Sequence, residues 1–246
     1  MKRVPRFVLD RIDPSAGLVC VRGAELHHMR DVMRLRRDSQ VALIANDGTE
    51  YIGLIESIGA SHAEVRLLQA RKPTAGCAIV LAVATIKGFR MDFIVEKGAE
   101  LGAGELWPIE CARGEVHSIS KARLERWRRL ATAAAKQGLA SVPMQIREPI
   151  GFSAMLATAS NAALRLICQI GAAPIAPVVR AARPSSIVMV CGPEGDFTSE
   201  EIAAANNAGF VSVGLGDKRL RSETAAMAAL SIAIAALAET NGESEQ

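Results

Sequence analysis

The sequence predicts an α/β protein in two parts, a small, mostly β barrel over residues 1–70 and a parallel-sheet α/β domain over residues 71–246. Three observations carry this. Short strand-like runs fill the first 70 residues. Beyond residue 76, continuous apolar runs alternate with helical patterns, the mark of a parallel sheet covered on both faces. Between them, Arg71-Lys72-Pro73-Thr74-Ala75-Gly76 reads as a linker.

The first part offers strands at Arg6–Leu9, Leu18–Val21, Val41–Ile44, Tyr51–Ile55 and Ala63–Leu68. Asn46-Asp47-Gly48 is a hairpin signal, because such turns need φ > 0. Glu25 to Met33 interrupts the strands as a short helix, placing His28, Asp31 and Val32 at i, i+3 and i+4. The second part has apolar runs at 79–86, 106–111, 164–170, 187–191 and 210–215. Helical patterns fall near 91–101, 121–137, 152–159, 199–208 and 223–239. No internal repeat or low-complexity segment is evident.

Composition narrows the function classes. With 50% hydrophobic and 22% charged residues, global disorder is excluded. Aromatics are only 4%, which argues against a single-strand binder built on aromatic shelves. The net charge of +3 is asymmetric: up to Arg37 nine Lys/Arg face four acids, giving +5 there and −2 over the rest. Twenty-two of the basic residues are Arg, whose planar fork binds two phosphate oxygens at once. A basic start on a near-neutral body points to a nucleic-acid-facing end.

Cys20, Cys77, Cys111, Cys168 and Cys191 are widely spaced, and four of them sit in or beside apolar runs. They read as buried, reduced thiols of a cytoplasmic protein. The basic start meets no early apolar segment of useful length, so no signal peptide is expected. The apolar stretch near 225–238 reads as too short and Ala-rich to span a bilayer. His27 and His28 are adjacent and point different ways on a helix, so no metal is expected there.

In open α/β sheets, ligands bind beyond the carboxyl ends of strands. Two such loops are unusual. Cys191-Gly192-Pro193-Glu194-Gly195-Asp196-Phe197-Thr198 has two glycines that permit a sharp bend and close approach, with Thr198 or Ser199 as helix cap. It is neither a dinucleotide fingerprint nor a P-loop. Leu215-Gly216-Asp217-Lys218-Arg219-Leu220-Arg221-Ser222-Glu223-Thr224 crowds three cations before an apolar last helix, with Ser222 as N-cap and Glu223 at the positive helix end.

Further blocks accompany these loops: Arg6-Phe7, His27-His28-Met29-Arg30-Asp31-Val32-Met33-Arg34, Asn46-Asp47-Gly48, Lys87-Gly88-Phe89-Arg90-Met91-Asp92 and Glu96-Lys97-Gly98-Ala99-Glu100-Leu101-Gly102. In order and spacing the set resembles the RsmE family, the 16S ribosomal RNA N3-uridine methyltransferases of the SPOUT superfamily. The resemblance covers almost the whole chain. It implies an N-terminal PUA-like barrel for RNA, a C-terminal domain with a deep trefoil knot, S-adenosylmethionine as cofactor, and an obligate homodimer with each pocket beside the partner. The chain departs from the family at Lys136 and Ala140, at Ala112, at Asp196 where a second glycine is usual, and at Lys218 in place of an Arg.

Carried onto this chain, the resemblance assigns the cofactor pocket to Gly192, Pro193, Glu194, Gly195, Leu215, Gly216, Leu220, Arg221 and Ser222. Arg221 would stabilise charge developing on the uracil oxygens, and Glu194, Glu223 or water would take the N3 proton. Arg6, His28, Arg30, Arg34, Arg36, Lys87, Arg90 and Arg113 are the RNA-contact candidates, mostly through phosphates. The partners implied are the small ribosomal subunit RNA and a second copy, with no membrane or metal. Two readings compete: a non-catalytic RNA-binding assembly factor, and a methyltransferase with another RNA target.

Overall fold

The structure, a computed structural model, describes residues 4–9, 11–45, 48–71, 77–116, 118–138 and 142–242. The chain divides into two compact units, Met1–Ala75 with Ala135–Val142, and Gly76–Ala134 with Pro143–Gln246. Within the first, β1 (Arg6–Leu9), β2 (Leu18–Val21), β3 (Gln40–Ala45), β4 (Glu50–Ile58) and β5 (Ala63–Arg71) form a sheet in the order β1-β3-β4-β5-β2. All pairings are antiparallel except β1 with β3. Phe7, Val19, Val21, Val41, Leu43, Ile55, Ala63 and Val65 project from alternate strand positions into one core with Leu26 and Met29. The predicted barrel is thus a five-stranded sheet whose outer strands do not pair with each other among the described residues.

The predicted helix at 25–33 is present in two registers, α1 (Gly23–His27) followed by a π turn at His28–Val32. The π turn is closed by Met33 N–H donating to the His28 carbonyl at 2.9 Å. The alternation of β2 turns Leu18 and Cys20 outward, so Cys20 is exposed, and Cys77 and Cys168 are only half-buried. The expectation of uniformly buried thiols holds only for Cys111 and Cys191. Residues 46 and 47 of the hairpin turn, 72–76 of the linker, and Ala140 lie outside the described residues.

The second unit is a parallel sheet in the order β12-β10-β11-β6-β7-β8, with β9 also pairing with β7. Its strands are β6 (Ala78–Ala84), β7 (Glu105–Glu110), β8 (Gln145–Ile146), β9 (Ile150–Gly151), β10 (Leu164–Cys168), β11 (Ser186–Cys191) and β12 (Val211–Val213). The strand order accommodates the trefoil thread that the resemblance implies. Helices α2 (Arg90–Leu101), α3 (Lys121–Gly138), α5 (Ile175–Ala182) and α7 (Ser222–Gly242) cover one face, and α4 (Phe152–Thr158) and α6 (Ser199–Asn207) the other. Neighbouring residues on one strand feed opposite layers, as parallel strands buried on both sides require. Leu81 and Val83 join Met91, Ile94, Trp127 and Met189, whereas Ala82 and Ala84 join Trp107, Phe152 and Val190.

Two helices depart from the sequence reading. The α5 segment, Ile-Ala-Pro-Val-Val-Arg-Ala-Ala, was not foreseen, because Pro177 speaks against a helix interior. It falls in the first turn, where no intrahelical N–H bond is lost. The α7 helix runs 21 residues, taking in Ser222 to Thr224 and continuing past Glu239. By length and composition it suffices to cross a membrane, with a mean hydropathy of 1.3 over 18 residues, which corrects the expectation that it is too short. Ala226, Ala229, Leu230, Ala233 and Ala236 nonetheless form a buried stripe in the core of this unit.

Candidate active site

The loops leaving the carboxyl ends of β6, β7, β10, β11 and β12 gather at one edge of the parallel sheet. The loop after β11 carries Gly192 to Phe197. Neither glycine in it adopts a positive φ; the left-handed residue is Asp196, at φ 64°. The glycines serve close packing instead. A Cβ at Gly192 would stand 3.0 Å from the Phe197 ring, and one at Gly195 would stand 3.3 Å from the Arg113 side chain.

Asp196 holds its conformation by accepting the Phe197 N–H on its own carboxylate at 2.8 Å. Aspartate is among the few non-glycine residues that tolerate this backbone region. The departure from the family's second glycine is therefore conformationally neutral. Asp196→Gly is expected to leave stability within about 0.5 kcal/mol, whereas Asp196→Ala, losing both the tolerance and the bond, should cost about 1 kcal/mol. Urea unfolding midpoints check both.

A clamp fixes this loop from behind. Thr198 Oγ1 accepts the Glu201 N–H at 3.2 Å, and Glu201 Oε2 accepts the Thr198 N–H at 2.9 Å, a reciprocal cap on α6. The other carboxylate oxygen of Glu201 accepts the Ala112 N–H at 2.8 Å. Arg113 donates to the Gly195 carbonyl at 3.1 Å and the Phe197 carbonyl at 3.4 Å. The end of β7 is thereby tied to the loop after β11. Burial, with the Glu201 carboxylate nearby, pushes the Cys111 thiol up to about 12, so it stays protonated and inert at neutral pH.

The loop after β12 closes against the loop after β10. Gly214 N–H donates to the Ala173 carbonyl at 2.7 Å, and Ile175 N–H donates to the Gly214 carbonyl at 3.2 Å. Arg219 then reaches across to donate to the Glu194 carbonyl at 2.9 Å, joining the two signature loops directly. The carboxylate of Glu194 is paired with Arg90. Between the loops lies a cleft lined by Cys168 to Ile170, Gly192 to Glu194, Asp196, Leu215, Gly216, Lys218 to Leu220, Ser222 and Ala225.

Ser222 does not cap α7 as its position suggested. It is the first helical residue, the opening bond runs from Ala225 N–H to the Arg221 carbonyl at 2.8 Å, and the Ser222 hydroxyl is buried with no hydrogen-bond partner among the described residues. A buried, unpaired hydroxyl lining a cleft is an acceptor and donor held ready for a ligand. Beside the cleft, Arg90, Glu194, Arg219, Leu220 and Arg221 border an open groove. Lys87, Arg90, Arg113 and Glu115 border an adjoining recess with Pro193 to Gly195.

The structure gathers Gly192, Pro193, Glu194, Leu215, Gly216, Leu220 and Ser222 at the cleft, Gly195 at the recess, and Arg221 at the groove. Glu223 lies at the start of α7 away from these linings, with one carboxylate oxygen buried and without a hydrogen-bond partner among the described residues. Of the RNA candidates, Lys87, Arg90 and Arg113 border the recess, although Lys87 is paired with Glu115 at 3.2 Å and Arg113 is engaged in the clamp. In the first unit, Arg6 pairs with Glu50 at 3.0 Å, and His28 packs edge-on to Phe7. Arg30 donates to the Gly59 and Ala60 carbonyls and to Asp31, whose carboxyl is held at about 2 chiefly by that hydrogen bond. Arg34 and Arg36 are exposed.

The sequence reading missed Cys168, Gln169 and Ile170, which follow the same carboxyl-end rule at β10. It also missed Arg123, which donates to the Gly88 carbonyl at 2.9 Å and fixes the loop after β6. The hydrogen bond to Cys168 at 3.7 Å, together with burial, raises the Cys191 thiol well above its ordinary range.

A family model described as an RNA methyltransferase domain matches residues 73–234, about two thirds of the chain. The chain belongs to this RNA methyltransferase family. A second model, described as an RNA methyltransferase PUA domain, matches residues 21–68. Among relatives in the family, the ribosomal RNA small subunit methyltransferase E of Bacillus subtilis is 27% identical over 229 residues, covering 88% of this chain and 90% of the relative. That of Mycobacterium tuberculosis is 29% identical over 244 residues, covering 91% and 88%. Among solved structures, the Neisseria gonorrhoeae ribosomal RNA small subunit methyltransferase E bound to S-adenosyl methionine superposes with a TM-score of 0.78 at 29% identity, covering 93% of this chain and 96% of the other. A Legionella pneumophila putative methyltransferase with bound SAM gives 0.75 at 27% identity, covering 95% and 98%.

Proposed function

We propose that this chain methylates N3 of a uridine in 16S ribosomal RNA, using S-adenosylmethionine, as a cytoplasmic homodimer. In this reading residues 1–70 hold RNA and residues 71–246 carry out the transfer. The observation that carries it is the cleft at the carboxyl edge of the parallel sheet, with its unpartnered Ser222 hydroxyl, opening beside an arginine-bordered groove. Relatives across bacteria bear the name of small-subunit RNA methyltransferases, and two structural neighbours hold this cofactor.

The residues present suit the cofactor. Leu215, Leu220, Ile170 and Pro193 offer apolar surface for an adenosine ring, and backbone groups around Gly192 and Gly216 allow close approach. The Ser222 hydroxyl would gain the partner it lacks. When bound, the cofactor supplies a methyl group on a sulfonium. The chain's own part is then orientation, which by itself supplies several kcal/mol of rate enhancement. Arg221, at the groove, would sit against the uracil oxygens and favour the deprotonated N3. Glu194 is the better-placed proton acceptor of the two carboxylates, because it borders the cleft, the groove and the recess. Its carboxylate is held at this junction by its ion pair with Arg90. For the dimer, the support is the half-buried apolar set Met227, Ile232 and Ile234 on α7, with the unsatisfied Glu223 oxygen on the same helix.

Deleting the gene in its host and mapping small-subunit RNA by mass spectrometry tests the assignment. One N3-methyluridine should vanish, return with the intact gene and stay absent with Arg221→Ala. An unchanged map overturns the uridine assignment.

A further inference from the structure

We propose that Phe89 is a stacking platform for a base of the RNA substrate at the mouth of the transfer site. The inference rests on the RNA-methyltransferase reading above and adds to it a residue that recognises the substrate. Aromatic residues are rare in this chain, and most of those in the parallel-sheet unit are buried: Trp127 at 0%, Trp107 at 6%, Phe152 at 7%, Phe197 at 5% and Phe210 at 4% exposure. Phe93, one turn further along, is 43% exposed, and Phe89 stands furthest out, at 79%. A phenyl ring left in water contributes nothing to folding and gives up the gain that burying it would bring. Its place in the fold offers a reason.

Phe89 lies in the loop from β6 to α2, directly between Gly88 and Arg90. Its neighbours Lys87 and Arg90 border the recess beside the cofactor cleft, and Arg90 borders the groove as well. Counting both linings, five cations (Lys87, Arg90, Arg113, Arg219 and Arg221) face two carboxylates, Glu115 and Glu194. The surroundings therefore match a polyanion and oppose an acidic or purely apolar partner. The loop is also held in place. Arg123 donates to the Gly88 carbonyl at 2.9 Å, Lys87 pairs with Glu115 at 3.2 Å, and the Phe89 carbonyl accepts the Phe93 N–H at 3.0 Å. A ring on a fixed backbone loses little freedom when a base settles on it.

An enzyme that modifies a ring nitrogen must take its base out of the stack, and the lost stacking has to be replaced. An exposed aromatic flanked by phosphate-binding cations does this without selecting sequence, because every base has a π face. Base–aromatic stacking contributes about 1–3 kcal/mol, so removing the ring corresponds to roughly a ten-fold or greater rise in KM for RNA. The cofactor cleft does not include Phe89, so cofactor affinity should not follow.

The test uses the full-length protein with small-subunit ribosomal RNA and labelled S-adenosylmethionine. Phe89→Ala should raise KM for RNA about ten-fold while leaving the S-adenosylmethionine Kd unchanged. Phe89→Tyr should restore KM, and Phe89→Leu, apolar but not aromatic, should not. Because both native tryptophans are buried, a Phe89→Trp variant gives an independent signal, fluorescence quenching on adding a short uridine-containing oligonucleotide. Rescue by leucine, absence of quenching, or a shift in sedimentation rather than in KM would overturn the proposal. The last of these would assign the ring to contact with a second copy. Absence of transfer by the unaltered protein would instead count against the underlying function, and the quenching experiment would still decide the stacking role.

Discussion

Arg221→Ala is expected to lower kcat for methyl transfer about 10²–10³-fold while changing the S-adenosylmethionine Kd less than about five-fold. The side chain borders the groove and makes no hydrogen bond or ion pair with the other described residues, unlike Arg90, Arg113 and Arg219 around it. Nothing in the fold needs it, so its loss should spare stability. What it supplies is a positive fork, free to engage the charge that spreads over the uracil oxygens when N3 gives up its proton. Removing one such donor typically forfeits about 3–4 kcal/mol of transition-state stabilisation. Arg221→Lys keeps the charge and loses the fork, and should fall between. Single-turnover kinetics with saturating cofactor would decide. A kcat within three-fold of the parent would remove Arg221 from the chemistry.

Gly214→Ala should damage both fold and cleft. The added methyl would stand 2.4 Å from the Ala172 carbonyl oxygen, a backbone atom that cannot swing aside. The loops after β10 and β12 are zipped at this point by two backbone hydrogen bonds, and each supplies a wall of the cleft. Relieving the overlap must part them. A stability loss of about 3 kcal/mol is expected, the upper range for forcing volume into packed structure. A fall of at least ten-fold in S-adenosylmethionine affinity should accompany it, measured by calorimetry at a temperature where the variant remains folded. Unaltered affinity would mean that the zipper does not shape the pocket.

Much of this was legible in the residues. Apolar runs such as Ile79–Ala84 and Ile187–Cys191 are buried on both faces, so their continuous hydrophobicity registered directly as parallel strands. The two signature loops stood out because glycine, proline and clustered cations are rare together. What stayed hidden was local backbone detail. The reading took Gly192 and Gly195 as bend-makers, yet the bend belongs to Asp196, and only coordinates reveal that a phenyl ring and an arginine stem crowd the glycines. Ser222 looked like a cap, and one residue of register turned it into an orphan facing the cleft. The clamp through Glu201 and Ala112 joins residues 89 apart, a pairing that no periodicity encodes. The two-residue strands β8 and β9 are too short to leave a pattern.

The cleft's walls come from three stretches spread between Cys168 and Ala225, joined only after β10, β11 and β12 lie side by side. Such pairings close long loops before any contact repays the lost entropy, so assembly is slow and the binding site matures late. A ligand seated there touches the native state alone and shifts the folding equilibrium by mass action, about 2.7 kcal/mol at a hundred times its Kd. Methyl-donor supply in the cell would then set the lifetime of the folded enzyme as well as its turnover.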